Sequence, residues 1–340
     1  MELNQRFKEQ VLKLGGSLFH QTDFNELALE LFLYQATENP VYKAYIHHLN
    51  ISPNKVKQLE QIPFLPIEFF KTQKVITGKT TEKIVFESSG TTGQQTSRHY
   101  VTDPDFYLTL SQQIFEQYYG PLSNYHVLAL LPSYLERTGS SLVYMIEHFI
   151  QQSQSSFSGF YLHNIPELIE QLRCAASWSS HKKILLWGVT FGLLDLAEVL
   201  DTPFQISNLT VMETGGMKGR RKELLREEVH TILTKSLGVP TIHSEYGMTE
   251  LMSQGYSIGS GVFELPSTMM VIIREINDPL TTTSQAEVRG GINVIDLGNV
   301  DSCCFIETKD LGSLLPQSNQ FKVLGRFDNS DVRGCNLMVG

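Results

Sequence analysis

The chain has 340 residues, 41% hydrophobic and 19% charged, a profile of an ordinary globular protein with mass for a large core and more than one subdomain. Its net charge of −9 speaks against a nucleic-acid binder or a binder of anionic membranes, since both need a basic surface to displace counterions. The polar start "MELNQRFKEQ" is not a secretory leader, no apolar run reaches the ~18 residues that span a bilayer, and Cys174, Cys303, Cys304 and Cys335 have no zinc spacing; together these predict a cytoplasmic protein with free thiols.

In chain order, residues 24–50 carry apolar positions at helical spacing, with Asp23 or Asn25 as the cap. Pro63 and Pro66 force an extended connection through "IPFLPIEFFK". "KIVFESSG" reads as a short strand entering a Gly-rich turn, and 103–119 as a helix with Pro104 in its first turn. The continuous apolar runs 126–132 and 182–189 read as buried strands. Helices are expected over 140–152, 163–178, 191–200 and 220–238, the last stopped by Gly238. Strands are expected over 208–216 and 240–247. Cys174 falls on an apolar helical register and Cys303-Cys304 in a strand, so all three read as core.

Strand and helix alternate from about 84 to 247, which predicts an α/β fold with a parallel or mixed sheet flanked by helices. After 260 the texture changes to short β-like runs, the mark of a small antiparallel subdomain. Ligands in such sheets bind beyond the carboxyl ends of the strands. Three strands end in informative turns: 88–93, Thr214-Gly215-Gly216, and 245–250.

The first of these, "SSGTTG", reads either as a solvent loop or as a phosphate cradle. Gly90 and Gly93 let consecutive N–H groups converge on an anion, and the hydroxyls of Ser88, Ser89, Thr91 and Thr92 add donors. No Gly-Lys-Ser/Thr follows, so it is not a Walker loop. In "SEYGMTEL", Tyr246 can stack on a base, Thr249 can donate to phosphate and Glu250 can bind Mg²⁺; equally, Thr249 and Glu250 can cap a helix. Asp310 suits a ribose diol and Arg326 a hydroxyl or phosphate, unless the first lies in a plain β-turn and the second is a surface charge. His99 stays open between a structural and a functional histidine.

Taken together, "SSGTTG", "TGG" at 214–216, "YGMTE", "TKDLG" and "GRFDNSDVRG" resemble, in order and spacing, the motifs of the acyl-adenylate-forming superfamily, which includes acyl-CoA synthetases, luciferases and nonribosomal adenylation domains. The resemblance covers about residues 60–335. It implies the N-terminal domain of an adenylate-forming enzyme: a helical segment (1–80), an α/β nucleotide-binding core (81–255), a small β-rich subdomain (256–325) and a short hinge and tail (326–340), with the mobile C-terminal lid and its lysine absent. It implies ATP and Mg²⁺. Ser88, Ser89, Gly90, Thr91, Thr92, Gly93 and Thr249 would hold phosphates, with Thr249 and Glu250 catalytic and Glu250 on the metal. Tyr246 would lie on adenine with Gly215 and Gly216 flanking it, Gly247 and Met248 would bind the nucleotide beside it, and Asp310 and Arg326 would hold the ribose. The phosphate loop's usual lysine is replaced by Thr96, with Arg98 nearby.

"IPFLPIEFFK", "LPSYLERTGSSLVYM", "ETGGMKGR" and the short ending are similar to the LuxE-type acyl-protein synthetases of bacterial fatty-acid reductase complexes. That likeness implies activation of a long-chain fatty acid, transfer to Cys335 as a thioester, and delivery to a partner reductase. Arg333, two residues away, would favour the thiolate. Ser133, Tyr134 and Arg137 would line the acyl pocket. Two alternatives stay open: an acyl-CoA ligase in which Cys335 is structural, and a non-catalytic nucleotide- or adenylate-binding subunit.

Overall fold

The computed structural model describes residues 3–16, 20–88, 95–131, 138–161, 164–178, 181–215, 224–316 and 319–327. Amphipathic spacing builds α1 (Leu3–Gly15), α2 (Gln21–Glu38) and α3 (Pro40–His48). The single helix expected over 24–50 is two helices. Pro40 has no N–H to continue the ladder and drives Asn39 to an extended conformation (φ −97°, ψ 109°). The Asn39 side chain then accepts from Tyr42 N and caps α3, while Asp23 and Asn25 lie inside α2.

The proline-rich connection forms β1 (Leu65–Pro66) and a single turn, α4 (Phe69–Thr72). β2 (Ile84–Glu87) and β3 (Arg98–Val101) pair antiparallel as a separate ribbon, with the "SSGTTG" segment between them. In α5 (Pro104–Tyr119), Asp103 accepts from Phe106 N and Pro104 fills the first turn. The alternation then runs β4 (Tyr125–Leu130), α6 (Ser141–Ser153), β5 (Gly159–Phe160), α7 (Ile165–Ser177), β6 (Lys183–Val189), α8 (Thr190–Val199), β7 (Leu209–Thr214), α9 (Arg226–Leu237) and β8 (His243–Tyr246). Ser140 and Asn164 cap α6 and α7 through their side chains, and Gly238 closes α9 in the left-handed conformation (φ 68°).

Strands β4 to β8 pair in parallel. Their apolar runs are continuous because both faces are covered. On β6, Leu185, Trp187 and Val189 face a core completed by α1, α2, α3, α5 and α6, while Ile184 and Leu186 face one completed by α7, α8 and α9.

The antiparallel strands expected after 260 follow: β9 (Gly255–Ser257), β10 (Val262–Glu264), β11 (Met269–Arg274), β12 (Thr282–Thr283), β13 (Arg289–Asp296), β14 (Phe305–Leu314) and β15 (Gln320–Arg326). They are hydrogen-bonded to the parallel half through β8 and β9, in the order β12-β11-β13-β14-β15-β10-β9-β8-β7-β6-β4-β5, with β1 paired to β14.

Two cysteine expectations change. Cys303 and Cys304 are buried, but in the turn that precedes β14 rather than within a strand. Cys174 is exposed on α7: its buried stripe is Leu168, Leu172 and Ala175. Cys174 lies two residues past Leu172, roughly 200° around the helix. Among the described residues no helix is long and apolar enough to cross a membrane.

Candidate active site

The parallel strands place their carboxyl ends side by side. The register sets Thr214 beside Glu245, and β7 runs out at Gly215, which turns at φ 74°, a conformation that favours glycine. The Thr190 hydroxyl, at the start of α8, lies against both the Glu213 carboxylate and the Gly215 carbonyl and fixes this turn. The Thr214 hydroxyl donates to Glu245 Oε2. Glu245 is hemmed in by protein, and burial, with Glu213 close by, pushes its carboxyl up to about 7.

The chain leaves β8 through Gly247, where a Cβ would lie 2.0 Å from Glu245 Oε1. The helix that one reading placed after "YGMTE" does not form. Residues 249–250 are a turn leading to β9, held by three side chains. Asp296 accepts from Met252 N (2.7 Å), Ser253 N (3.0 Å) and Gly298 N (3.0 Å). Asn299 Nδ2 donates to the Glu250 carbonyl at 2.9 Å, and His99 Nδ1 donates to the Thr249 carbonyl at 2.8 Å. These contacts satisfy the backbone of the turn and fix where its side chains point. The Glu250 carboxyl is buried, which raises its pKa; a hydrogen bond from the Ser97 hydroxyl and the charges of Arg326 and Lys71 oppose that rise.

Asp310 and Arg326 are direct cross-strand partners on β14 and β15. The Arg326 Nε lies 3.1 Å from Asp310 Oδ1, and the Tyr246 hydroxyl donates to Oδ2 at 3.0 Å. Asp310 is therefore inside a strand, not in a β-turn. The Tyr246 ring is buried, edge-on to Phe263 (5.9 Å) and Phe321 (5.1 Å), so its fixed contribution is to orient Asp310. Arg274 supports the same strand from behind. Its guanidinium donates to the carbonyls of Ile292 (2.9 Å) and Thr308 (2.6 Å), and Thr308 Oγ1 accepts from Asp310 N. Gly291 makes room for it, since a Cβ there would lie 2.4 Å from Arg274 Cζ.

The fold thus brings Tyr246, Thr249, Glu250, Asp310 and Arg326 into one neighbourhood, the charge of Arg326 acting on both Glu250 and Tyr246. Ser88 opens the Gly-rich segment; its Oγ accepts from Ser97 N at 2.9 Å. Gly215 and Gly247 are exposed at the strand ends, and Met248 packs partly on the core. Arg98 points the other way, to Glu87 (3.4 Å) on the outer face of the ribbon. Ser89, Gly90, Thr91, Thr92, Gly93, Gly216, Ser133, Tyr134, Arg137 and Cys335 lie outside the described residues. Sequence reasoning missed Glu245, Asp296, Asn299, Ser97 and Arg274. Two signals were present: "DLGN" after a strand is turn chemistry, and tandem Gly290-Gly291 within a strand marks a close approach.

No family model and no curated protein matches this chain. Solved structures do. 2-Hydroxyisobutyryl-CoA ligase, in complex with 2-HIB-AMP and CoA, matches at 14% identity and TM-score 0.61 over 97% of this chain and 70% of that one. The ATP-bound RpMatB-BxBclM chimera B3 matches at 14% and 0.54 over 73% and 49%. McyG A-PCP, complexed with phenylalanyl-adenylate, matches at 14% and 0.50 over 83% and 51%. The match to the MatB structures, that of Rhodopseudomonas palustris included, spans about half their length. At this level of identity the likeness is one of architecture: the chain has the mixed α/β fold of adenylate-forming enzymes.

Proposed function

We propose that this chain activates a carboxylic acid, in the first instance a long-chain fatty acid, as its acyl-AMP. It then carries the acyl group on Cys335 as a thioester for a partner acyl reductase. The observation that carries this reading is the meeting of Asp310–Arg326 with Ser97–Glu250 beside the carboxyl ends of β7 and β8. Asp310 accepts from the ribose hydroxyls, Arg326 closes over the sugar, and Thr249 with the Gly-rich segment donates to phosphate oxygens.

In the first step a carboxylate oxygen attacks the α-phosphorus; the bond to the bridging oxygen breaks and pyrophosphate leaves with the electron pair. In the second, the Cys335 thiolate attacks the acyl carbon, the bond to the AMP oxygen breaks, and the thiol proton passes to solvent. Asp310 and the turn at Thr249 and Glu250 are held by the protein's own hydrogen bonds, and such positioning lowers the barrier.

Glu250 fits Mg²⁺. Its buried carboxyl has no direct cationic partner among the described residues, so a cation relieves its desolvation. No group of three or more potential ligands exists among the described residues, which suits an ion held by one carboxylate, water and phosphate oxygens. When bound, the ion neutralises charge on the departing pyrophosphate.

The test is incubation with ATP, Mg²⁺ and a labelled long-chain fatty acid. Pyrophosphate release with hydroxylamine-sensitive protein label, lost in Cys335→Ser, is the expected result. Acyl-CoA formation without protein label would make the chain an acid–thiol ligase. No pyrophosphate with any acid would reduce it to a binder.

A further inference from the structure

Along β3 and the residue before it, alternate side chains turn inward: Ser97 is 3%, His99 1% and Val101 3% exposed. The two inward polar groups end on consecutive residues of one turn. The Ser97 hydroxyl meets the Glu250 carboxyl, and His99 Nδ1 lies 2.8 Å from the Thr249 carbonyl. A carbonyl only accepts, so the proton sits on Nδ1. Burial pushes the imidazole down to about 4 and keeps the ring neutral, and its edge-on contact with Phe70 (5.8 Å, 87°) fixes the ring plane. Asp296 and Asn299 also hold this turn, through Met252, Ser253 and Glu250.

We propose that His99 is a positioning residue which, with Ser97, couples the start of β3 to the turn at Thr249 and Glu250 and so fixes where the Thr249 hydroxyl and the Glu250 carboxyl point. The inference rests on the adenylate-forming reading. Its chemistry is simple. β3 reaches the turn through a hydroxyl and an N–H two residues apart, so losing either contact frees the carbonyl of Thr249 or the side chain of Glu250 to turn.

The test uses the full chain. His99→Phe keeps the ring against Phe70 and removes the N–H; His99→Asn returns an N–H near the position of Nδ1; Ser97→Ala removes the hydroxyl. Pyrophosphate release gives kcat, the KM for ATP and for the acid, and the half-saturating Mg²⁺. In His99→Phe, kcat falls and half-saturating Mg²⁺ rises by about ten- to a hundredfold while the KM for the acid stays put. His99→Asn recovers most of the loss, and Ser97→Ala costs less in the His99→Phe background than alone. A parallel change in all constants, or a lowered melting temperature with no change in Mg²⁺ dependence and no rescue by Asn, overturns the coupling. If His99→Phe does not fold, Ser97→Ala and His99→Asn carry the same readout: wild-type Mg²⁺ dependence in Ser97→Ala refutes it. Absence of pyrophosphate release by the wild-type chain with any acid brings down the adenylate reading, and the coupling with it. Active wild type with unaltered variants brings down the coupling alone.

Discussion

Replacing Asp310 by Asn keeps the outline of the side chain and removes its charge and one acceptor. In the folded protein the carboxylate accepts from Tyr246 Oη at 3.0 Å and faces Arg326 Nε at 3.1 Å. The amide can turn its oxygen to Arg326 and its NH₂ to the Tyr246 oxygen, so the buried hydroxyl keeps a partner. The Arg326 side chain is 71% exposed, and a pair screened to that degree contributes less than about 1 kcal/mol, a shift of a few degrees in melting temperature. Nucleotide binding is hit harder. Two sugar hydroxyls donating to a carboxylate are charge-assisted, about 1.5–3 kcal/mol for such a bond, which is roughly ten- to a hundredfold in KM for ATP. Steady-state pyrophosphate release at saturating acid, beside a thermal melt, measures both. A folded Asp310→Asn protein whose KM for ATP stays within about twofold of wild type would refute the assignment of Asp310 to the ribose.

Other outcomes follow from the same contacts. Glu245 holds its proton more tightly folded (about 7) than at its ordinary value of 4.5, so its contribution to stability is intact below about 4.5 and lost as pH rises through about 7. Glu245→Gln should therefore flatten the fall in stability between about pH 4.5 and 7, a change of at most about 3 kcal/mol; an unchanged slope contradicts the burial of that carboxyl. Gly291→Ala drives a methyl into the Arg274 guanidinium and should cost about 1–3 kcal/mol in denaturant unfolding, where a neutral result would mean that the Arg274 guanidinium does not pack against Gly291. Brief alkylation of the native protein should label Cys174 and spare Cys303 and Cys304, both buried, Cys303 with its thiol pushed up to about 12; peptide mapping decides it.

The elements most legible in the sequence were those written in local chemistry. Pro104 after Asp103, the unbroken apolar run of β6 and Gly238 after "KSL" each named an element, because capping, burial on both faces and a left-handed stop act within a few residues. The break at Asn39-Pro40 was also local; apolar spacing on both sides masked it. The helical register around Cys174 misled because α7 buries only the stripe through Leu168, Leu172 and Ala175, and which stripe faces the sheet is settled by packing. The candidate site divides in the same way. Tyr246, Thr249, Glu250, Asp310 and Arg326 stand out by motif, but the groups that aim them do not: His99 acts 150 positions from Thr249, and Asp296 43 from Ser253.

By itself the sequence determined the alternation of strand and helix, the turns at the strand ends and the residue types able to meet a phosphate, a ribose and a cation. These are properties of short stretches: hydrogen-bonding capacity, dihedral freedom and apolar periodicity. Only the tertiary structure decided that β8 would join the parallel and antiparallel halves, that Tyr246 would spend its hydroxyl on Asp310, and that Ser97 and His99 would close on the turn at Thr249 and Glu250. Such pairings depend on register and on closing long loops, and no local window of sequence carries them.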